Sequence, residues 1–416
     1  MNYRMIAYLS GIIILIEACF MLMPALVALI YGEQSGIWFL VTLAAAAVLG
    51  FALVRLKPAK RNMYAKEGFV ITALAWIVIS LVGAAPFTLS GQIPSYLDAV
   101  FEMVSGFTTT GASIVPNVEE LDRCMNFWRC LSHWLGGMPL FDSLCHAFGT
   151  AGTGGFGIKA ASVGAYDSYY LQTIIAVFMV LFGVNFNVYF FLLIRRWSDA
   201  FRNTEVKVYV SVIITSVVVI GCSIIPMMPS VYDAFHHAFF AVATIITTTG
   251  FATVDFNLWP ELSRLILVLL MFIGACAGST GGGIKVSRFV ILTKATTAEV
   301  RKLLHPRSVR VMTIDGKQVS RETIQGVQGY LVVYLLIFVV SILLVSLDNC
   351  DMTTSVTAVA ATLNNIGPGL NLVGPTGNYA FFSPLSKIIL TLDMLFGRLE
   401  LFPMVILLMP STWRKH

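Results

Sequence analysis

The chain has 416 residues, of which 57% are hydrophobic and only 12% are charged, and its formal net charge is +5. Soluble domains carry about 25% charged residues, so this composition excludes a soluble globular protein. The net charge calls for no nucleic-acid partner, because the basic residues gather in short loops between apolar segments. The 7 cysteines are an odd number and lack metal-ligand spacing, which argues against a disulfide framework.

Apolar segments of about 20 residues, the length that crosses a bilayer, recur along the chain. The sequence therefore predicts an all-α integral membrane protein. The predicted spans are 6–30, 36–55, 69–90, 169–194, 207–228, 261–292, 327–347 and 384–410. The sixth is interrupted by Gly278-Ser-Thr-Gly-Gly-Gly283. The first lacks a small-residue cleavage site, so we expect it to be retained.

Lysine and arginine concentrate at 55–66, 195–207 and 294–321 and at the C-terminal end. Short loops rich in these residues mark the cytoplasmic side of a membrane protein. We therefore expect a multi-pass protein with both termini in the cytoplasm. The basic segment 294–321, just inside the membrane, is suited either to an acidic partner or to anionic lipid.

Four short polar loops each follow a short helical pattern and fall on the opposite side. They are Thr108-Thr-Thr-Gly111, Gly152-Thr-Gly-Gly155, Thr247-Thr-Thr-Gly250 and Asn364-Asn-Ile-Gly367. A helix over 98–107 covers about 15 Å, half of the hydrocarbon core, so it must enter and turn back. Irregular backbone at that depth persists only where it is buried or faces water. The repeated unit is therefore span, half-helix, re-entrant loop, span.

The chemistry of these loops suits a bare cation, which must exchange its hydration shell for oxygens, as in potassium channels. Glycine allows the backbone to point successive carbonyls inward. The half-helices direct their negative C-terminal ends at the pore, and Asp98, Asp142 and Asp233 are predicted to cap their N-termini. One such loop is an ordinary polar turn, but four matched copies favour an ion pathway. The loops carry no ring of acidic side chains, which argues against a calcium channel.

Six stretches along nearly the whole chain together resemble one known family. They are 101–111, 129–137, 246–251, 278–285, 364–369 and 396–403. The chain resembles the Trk/Ktr/HKT superfamily of potassium transporters, of the bacterial TrkH type. The resemblance implies four tandem span–pore-helix–span units around a pseudo-fourfold pore in the bacterial inner membrane. It also implies a homodimer, contact with membrane lipid, and gating by a cytosolic nucleotide-binding ring of the TrkA type.

The resemblance also implies a selectivity filter in the four loops, with K+ as the transported ion and no cofactor in this chain. The implied filter residues are Thr109, Thr110, Gly111, Gly154, Gly155, Thr248, Thr249, Gly250, Asn365, Ile366 and Gly367. The residues expected to coordinate K+ are Thr110, Gly111, Gly155, Thr249, Gly250, Ile366 and Gly367. All four filter positions are glycine, an arrangement that the family associates with potassium rather than sodium.

The glycine-rich break at 274–283 does not match a phosphate-binding P-loop, since Ile284 separates Gly283 from Lys285. It is either a kink that allows tight helix packing or, as the resemblance implies, an intramembrane gate below the filter. The implied gate residues are Gly278, Ser279, Thr280, Gly281, Gly282, Gly283, Lys285 and Arg398. A charge such as Arg398 is costly at mid-span, and its partner is either the loop carbonyls or a carboxylate, Asp393 or Glu400.

The chain departs from the family pattern after the first loop, where 129–138 runs directly into Pro139. As a helix, 124–138 reaches about 22 Å against a core of roughly 30 Å. The inner part of one span and all of the next are therefore expected to be missing. The sequence therefore predicts six segments. Two N-terminal helices occupy 1–66, a cytoplasmic loop occupies 294–325, and the pore units are 67–138, 139–203, 204–293 and 326–416. The first two pore units are expected to be truncated.

Passive, gated potassium uptake is the leading functional hypothesis. One alternative is a symporter coupled to Na+ or H+, although the four units run in one direction and not as inverted repeats. Another is a transport-inactive subunit, because of the shortened region. An enzyme is not expected, since no nucleophile–base constellation is recognised.

Glu102 either buttresses the filter or makes a structural hydrogen bond, and His236 and His237 are expected to be helix residues near the outer surface.

Overall fold

A computed structural model describes residues 3–56, 65–133, 149–157, 159, 161–166, 168–305, 312–399, 401, 404, 406 and 409. Within these ranges the regular structure is helical apart from one hairpin, which confirms the predicted fold class. The shortened region predicted around residue 138 lies between the described segments that end at His133 and resume at Gly149.

Within the described residues, the first half of the chain supplies ten α-helices. They are α1 (Tyr3–Phe20), α2 (Leu22–Tyr31), α3 (Gly36–Val54), α4 (Ala65–Leu89), α5 (Tyr96–Phe107), α6 (Arg123–His133), α7 (Tyr169–Phe182), α8 (Phe186–Leu193), α9 (Trp197–Arg202) and α10 (Thr204–Ile224). Residues 149–151 are also helical, and short 3-10 turns lie at Ser162–Ala165 and Ile225–Met227.

The described part of the second half supplies six more helices and the hairpin. They are α11 (Val231–Ile246), α12 (Glu261–Phe272), α13 (Val286–Leu304), β1 (Thr313–Ile314), β2 (Lys317–Gln318), α14 (Arg321–Val345), α15 (Met352–Leu363) and α16 (Pro384–Arg398). Three 3-10 turns occur at Phe256–Leu258, Ser346–Asp348 and Asn371–Val373.

Four helical stretches of the described chain are long and apolar enough to cross a membrane. They are Arg4–Tyr31, Gly36–Val54, Thr204–Met227 and Arg321–Asp348. The predicted span 169–194 is bent, because α7 and α8 meet at 91°, and the pair is long and apolar enough for a span only when both helices are taken together. The Asn185 side chain caps the new helix by accepting from the Asn187 amide at 2.9 Å. The Phe186 amide donates to the Gly278 carbonyl at 3.2 Å, so a distant loop holds the bend.

The predicted basic loop begins later than expected, because α13 continues to Leu304. Lysine, arginine and glutamate are good helix formers, so positive charge does not by itself end a helix. The hairpin that follows turns at Asp315 and Gly316, with φ of 50° and 76°. Such left-handed angles at both turn residues are typical of a type I′ hairpin.

Serines, not the predicted aspartates, cap two of the half-helices. The Ser95 and Ser230 hydroxyls accept from the amides of Asp98 and Asp233, at 3.4 and 3.1 Å. Asp98, in the first turn, pairs instead with Lys387 at 2.7 Å. Hydrogen bonds from Tyr169 and Ser230 lower the pKa of Asp233. Among the three half-helix starts that the structure describes, aspartate caps the fourth unit's, where Asp351 accepts from the Thr354 amide at 2.9 Å. Asp142 lies outside the described residues.

The half-helices lie at the centre of the molecule, and the long helices surround them. Nine of the twelve residues of α15 are buried, and α11 is buried along its C-terminal half. On the long helices, by contrast, leucines such as Leu29, Leu336 and Leu343 are exposed by 79, 65 and 66%. Apolar side chains on the outside and polar loops at the centre are the arrangement expected in lipid.

Candidate ion pathway and gate

The four glycine loops share one backbone conformation. The residue two before each glycine is left-handed, with φ of 53° at Thr109, 53° at Thr153, 58° at Thr248 and 57° at Asn365. The glycines are left-handed too, with φ of 76° at Gly111, 72° at Gly155, 86° at Gly250 and 96° at Gly367. Left-handed threonine is rarely populated and is found mainly where surrounding structure enforces it. The loops are therefore held in place by their surroundings.

Matching hydrogen bonds close the four helix ends. The amides of Thr110, Gly154, Thr249 and Ile366 each donate to the carbonyl five residues earlier, at 2.8, 2.8, 2.9 and 2.8 Å. The preceding residue in each loop donates to the carbonyl three residues earlier. This pair of bonds is the Schellman motif, which normally places glycine at the left-handed position. Here threonine or asparagine takes that position, and the filter glycine follows two residues later.

The loops form a closed ring through their glycines. A Cβ built on Gly111 would lie 2.5 Å from the Gly154 carbonyl oxygen, and one on Gly155 would lie 2.0 Å from that of Thr249. The series continues from Gly250 to Ile366 at 2.1 Å and returns from Gly367 to Thr110 at 2.5 Å. Each glycine therefore faces the carbonyl of the next loop, and the fourth faces the first. A larger residue has no room at any of the four positions.

Threonine and asparagine side chains fasten the loops. The Thr108 hydroxyl donates to the Val104 carbonyl at 2.7 Å, and Thr247 makes the same bond to Ala243 at 2.6 Å. In the fourth loop the Asn364 amide replaces threonine and donates to Ala360 at 2.8 Å. Asn365 links the fourth loop to the neighbouring first loop by donating to the Thr110 hydroxyl at 2.8 Å. These side chains thus fasten the loop backbone to the helices and to the neighbouring loop.

A buried ion pair supports the first loop. Glu102 accepts from the Arg129 guanidinium at 2.6 Å and from the Ile114 amide at 2.8 Å, and the two side chains are 0 and 2% exposed. The Arg129 guanidinium lies 4.5 Å from the ring centre of Phe156, which follows the second filter glycine. Glu102 therefore binds the first loop directly and is linked to the second through Arg129. This is more than the single structural hydrogen bond that was one of the two alternatives from the sequence.

We predict that Glu102→Ala lowers the free energy of unfolding by about 3–5 kcal/mol, because it leaves the Arg129 charge buried without its carboxylate. Denaturant unfolding in detergent measures this. Glu119→Ala is the matched control, since the Glu119–Lys159 pair is 3.9 Å long and exposed on both sides. Removing that pair should change stability by at most about 1 kcal/mol. Equal losses in the two variants would contradict a special role for the buried pair.

The glycine-rich loop (273–285) links α12 to α13 and lies against the filter loops. The Gly282 amide donates to the Thr248 hydroxyl at 2.6 Å. A Cβ on Gly282 would lie 2.5 Å from the Asn364 carbonyl oxygen, and one on Gly281 would lie 3.1 Å from that of Thr247. The loop therefore packs at the C-terminal ends of α11 and α15, against the ring of glycine loops.

Two cations hold this loop from within the protein. Arg398 donates to the Thr280 carbonyl at 3.0 Å, and the Lys285 ammonium donates to the Gly281 carbonyl. Asp393, considered from the sequence as a partner of Arg398, instead accepts from the Ser341 hydroxyl at 2.7 Å. Glu400 lies outside the described residues. The Arg398 contact comes from α16, so the loop is bonded to a residue 118 positions further along the chain.

The sequence reasoning missed Glu205, which lies in the first turn of α10 and is 8% exposed. Its carboxylate accepts from the amides of Ala277 and Ser287, on either side of the glycine run, at 2.6 and 3.0 Å. An acidic residue in a first helical turn is normally explained by its favourable interaction with the helix dipole. The position of Glu205 therefore did not indicate a contact with the glycine-rich loop. Its only unusual property in the sequence is that it begins a membrane span.

The four ring glycines border a cavity of about 150 Å³ that is also lined by Lys159. His236 and His237 lie on α11, where they contact Gln172 at 2.9 Å and Thr253 at 3.1 Å. Across the described residues no group of three His, Cys, Asp or Glu side chains could hold a metal ion. A cation site here would consist of backbone oxygens.

Comparison with known proteins agrees with this architecture. The family model of TrkH, described as a cation transport protein, matches residues 37–140 and 200–415. The chain is 32% identical over 488 residues to the Trk system potassium uptake protein TrkH of Salmonella typhimurium strain LT2, with 100% of each protein covered. It is 27% identical over 482 residues to TrkG of Escherichia coli strain K12, with 99% of each covered.

The crystal structure of the potassium transporter TrkH from Vibrio parahaemolyticus superposes with a TM-score of 0.92 at 31% identity, covering 100% of both chains. The alignment with the Salmonella protein extends over 488 residues, more than the 416 of this chain. That relative therefore carries residues that have no counterpart here, which agrees with a shortened chain. By its matched family model and full-length similarity, the chain belongs to the TrkH family of cation transport proteins.

Proposed function

We propose that the chain carries K+ inward across the bacterial inner membrane through the ring of four glycine loops. The closed ring of glycine-to-carbonyl contacts is the observation that carries this proposal, because it faces four loops toward one axis. The relatives named as potassium uptake proteins support potassium as the ion. We assign K+ to oxygens of Thr110, Gly111, Gly155, Thr249, Gly250, Ile366 and Gly367.

Transport through such a ring would depend on dehydration of the ion. Backbone carbonyls would replace the water shell of K+, as they do in potassium channels. The C-terminal ends of α5, α11 and α15 carry partial negative charge that favours a cation at the ring. On this proposal the glycine-rich loop (273–285) obstructs the inner side, and Arg398 with Lys285 keeps it there.

Rescue of a potassium-uptake-deficient bacterium at low external K+ tests the proposal, with and without a cytosolic nucleotide-binding ring protein of the Trk system. We expect growth to be restored when both are present. A chain that inserts and folds but restores no growth would instead favour a transport-inactive subunit, which the longer alignment with the relative motivates. Uptake that stops when Na+ or a proton gradient is removed would favour a coupled symporter.

We further propose a homodimer that contacts lipid and binds the ring protein on its basic side. The exposed end of α13 carries Arg301 and Lys302 in its last turn, on the side assigned to the cytoplasm. Positive charge just inside the membrane can bind an acidic partner or anionic lipid.

We predict that Arg301→Ala with Lys302→Ala reduces co-purification of the ring protein by severalfold, because two exposed charges are lost from the proposed interface. Lys207→Ala, which removes an exposed charge from α10 on the same side, is the control and should change little. Undiminished co-purification of the double variant would leave only a role in membrane orientation for these residues.

A further inference from the structure

The α7–α8 elbow (182–186), where the bent span turns, lies directly against the glycine-rich loop. The Gly183 carbonyl accepts from the Cys276 amide at 3.0 Å, and the Phe186 amide donates to the Gly278 carbonyl at 3.2 Å. The Phe182 carbonyl accepts from the Thr280 hydroxyl at 3.4 Å. The backbone N–H and C=O groups that lose their helical hydrogen bonds at the bend thus find partners in the loop. Irregular backbone at membrane depth needs such partners.

Glu205 joins the elbow to the residues on either side of the glycine run 278–283. One carboxylate oxygen accepts from the Ala277 and Ser287 amides, and the other accepts from the Asn185 side chain at 3.4 Å. Hydrogen bonds from backbone amides to an ionised carboxylate are stronger than those between neutral groups. A simple dipole effect at the start of α10 would need none of these three contacts.

The next contact leads to the cytoplasmic hairpin formed by β1 and β2 (313–318). Asp315 at its turn accepts from the amide and the hydroxyl of Thr204, at 2.9 and 2.5 Å. Lys294 fastens the hairpin to α13 by donating to the Thr313 carbonyl at 3.0 Å. Thr204 and Glu205 are consecutive, so the hairpin and the glycine-rich loop are bonded to adjacent residues of one helix end.

We propose that Glu205 is the positioning residue that keeps the glycine-rich loop under the filter, and that the Asp315–Thr204 contact couples this position to the cytoplasmic hairpin. The proposal rests on the proposed function in that it takes this loop to be the gate. A cytosolic partner that pulls on the hairpin would shift the first turn of α10. This shift would break the bonds from the Ala277 and Ser287 amides to Glu205 together. Arg398 holds the loop from the opposite side and is not part of this link.

The buried thiol of Cys276, at the start of the loop, reports the loop position without relying on transport. It is 0% exposed. The test uses the full-length chain in detergent, with every other cysteine replaced by serine, and measures the rate of maleimide labelling at Cys276. We expect Glu205→Ala to raise that rate at least tenfold. Glu205→Gln, which keeps an acceptor for the two loop amides, should fall between the parent and the alanine variant.

Glu322→Gln is the matched control, because Glu322 is the second residue of α14 just as Glu205 is of α10, but it is exposed. It should leave Cys276 labelling unchanged. Equal labelling of the parent and the folded Glu205→Ala variant would overturn the proposal. Faster labelling without a rise in potassium flux would uphold the role of Glu205 and reject the loop as the gate. The experiment therefore distinguishes failure of the Glu205 proposal from failure of the proposed gate.

The coupling to the hairpin is tested by a double-mutant cycle between Glu205→Ala and Asp315→Ala. If the hairpin acts through Glu205, Asp315→Ala should raise labelling several-fold alone and add nothing to Glu205→Ala. Effects that simply multiply would show independent sites and overturn the coupling. So would an Asp315→Ala variant whose labelling equals that of the parent.

Discussion

Replacing Gly111 with serine is expected to lower the ratio of K+ to Na+ permeability by on the order of tenfold, which corresponds to about 1.4 kcal/mol of discrimination. The added Cβ would lie 2.5 Å from the Gly154 carbonyl oxygen. That oxygen belongs to backbone and cannot rotate away like a flexible side chain. The ring must therefore deform, and a ring that no longer holds fixed oxygen positions discriminates less between the two ions.

Gly91→Ser is the control, because Gly91 shares φ of 76° with Gly111 but has nothing within 4 Å of a built Cβ. Both variants suffer the strain of a left-handed serine, and only Gly111→Ser deforms the ring. Relative permeability is measured by flux into proteoliposomes from matched K+ and Na+ solutions. An unchanged ratio in a folded Gly111→Ser protein would exclude this ring as the selectivity element.

Replacing Arg398 with alanine is expected to raise basal K+ flux without the ring protein by on the order of tenfold to a hundredfold. The variant loses the 3.0 Å bond to the Thr280 carbonyl, and a hydrogen bond from a charged group is worth about 1.5–3 kcal/mol. It also removes a positive charge beneath the filter, which lowers the barrier to a cation. A looser loop and a lower electrostatic barrier both increase flux.

Lysine at position 398 should restore the closed state only in part, since it keeps the charge but lacks the planar guanidinium. Arg264→Ala is the control, because Arg264 pairs with the exposed Glu261 at the start of α12 and not with the loop. Flux is measured as ⁸⁶Rb+ or K+ uptake into proteoliposomes holding equal amounts of folded protein. If Arg398→Ala leaves basal flux at the parent level, Arg398 is a packing charge.

Much of the site could be predicted from the sequence because its signals are local and repeated. Hydropathy located the long helices α3, α10 and α14 to within a few residues. The four glycines could be matched because each ends a short loop that follows a half-helix, with threonine or asparagine two residues before the glycine. The mid-span charge of Arg398 directed attention to loop carbonyls, and the structure places it beside one of them.

The errors fell where a distant part of the chain decides the local structure. The segment 169–194 has the hydropathy of one span, but Phe186 bonds to Gly278 and the helix bends by 91°. Asp98 satisfies the pattern of a cap, yet Lys387 is its partner and Ser95 takes the cap. In both cases a contact from a distant part of the chain decided the local structure.

By itself, the sequence determined that this is a helical membrane protein with four glycine loops, since these properties follow from hydropathy and residue spacing. Tertiary structure alone decided that each glycine faces the carbonyl of the next loop and that the fourth closes on the first. It also decided that Glu205 binds the Ala277 and Ser287 amides, which flank the glycine run. Ring closure and a shared carboxylate join residues far apart in the chain, and no local periodicity records which of them meet.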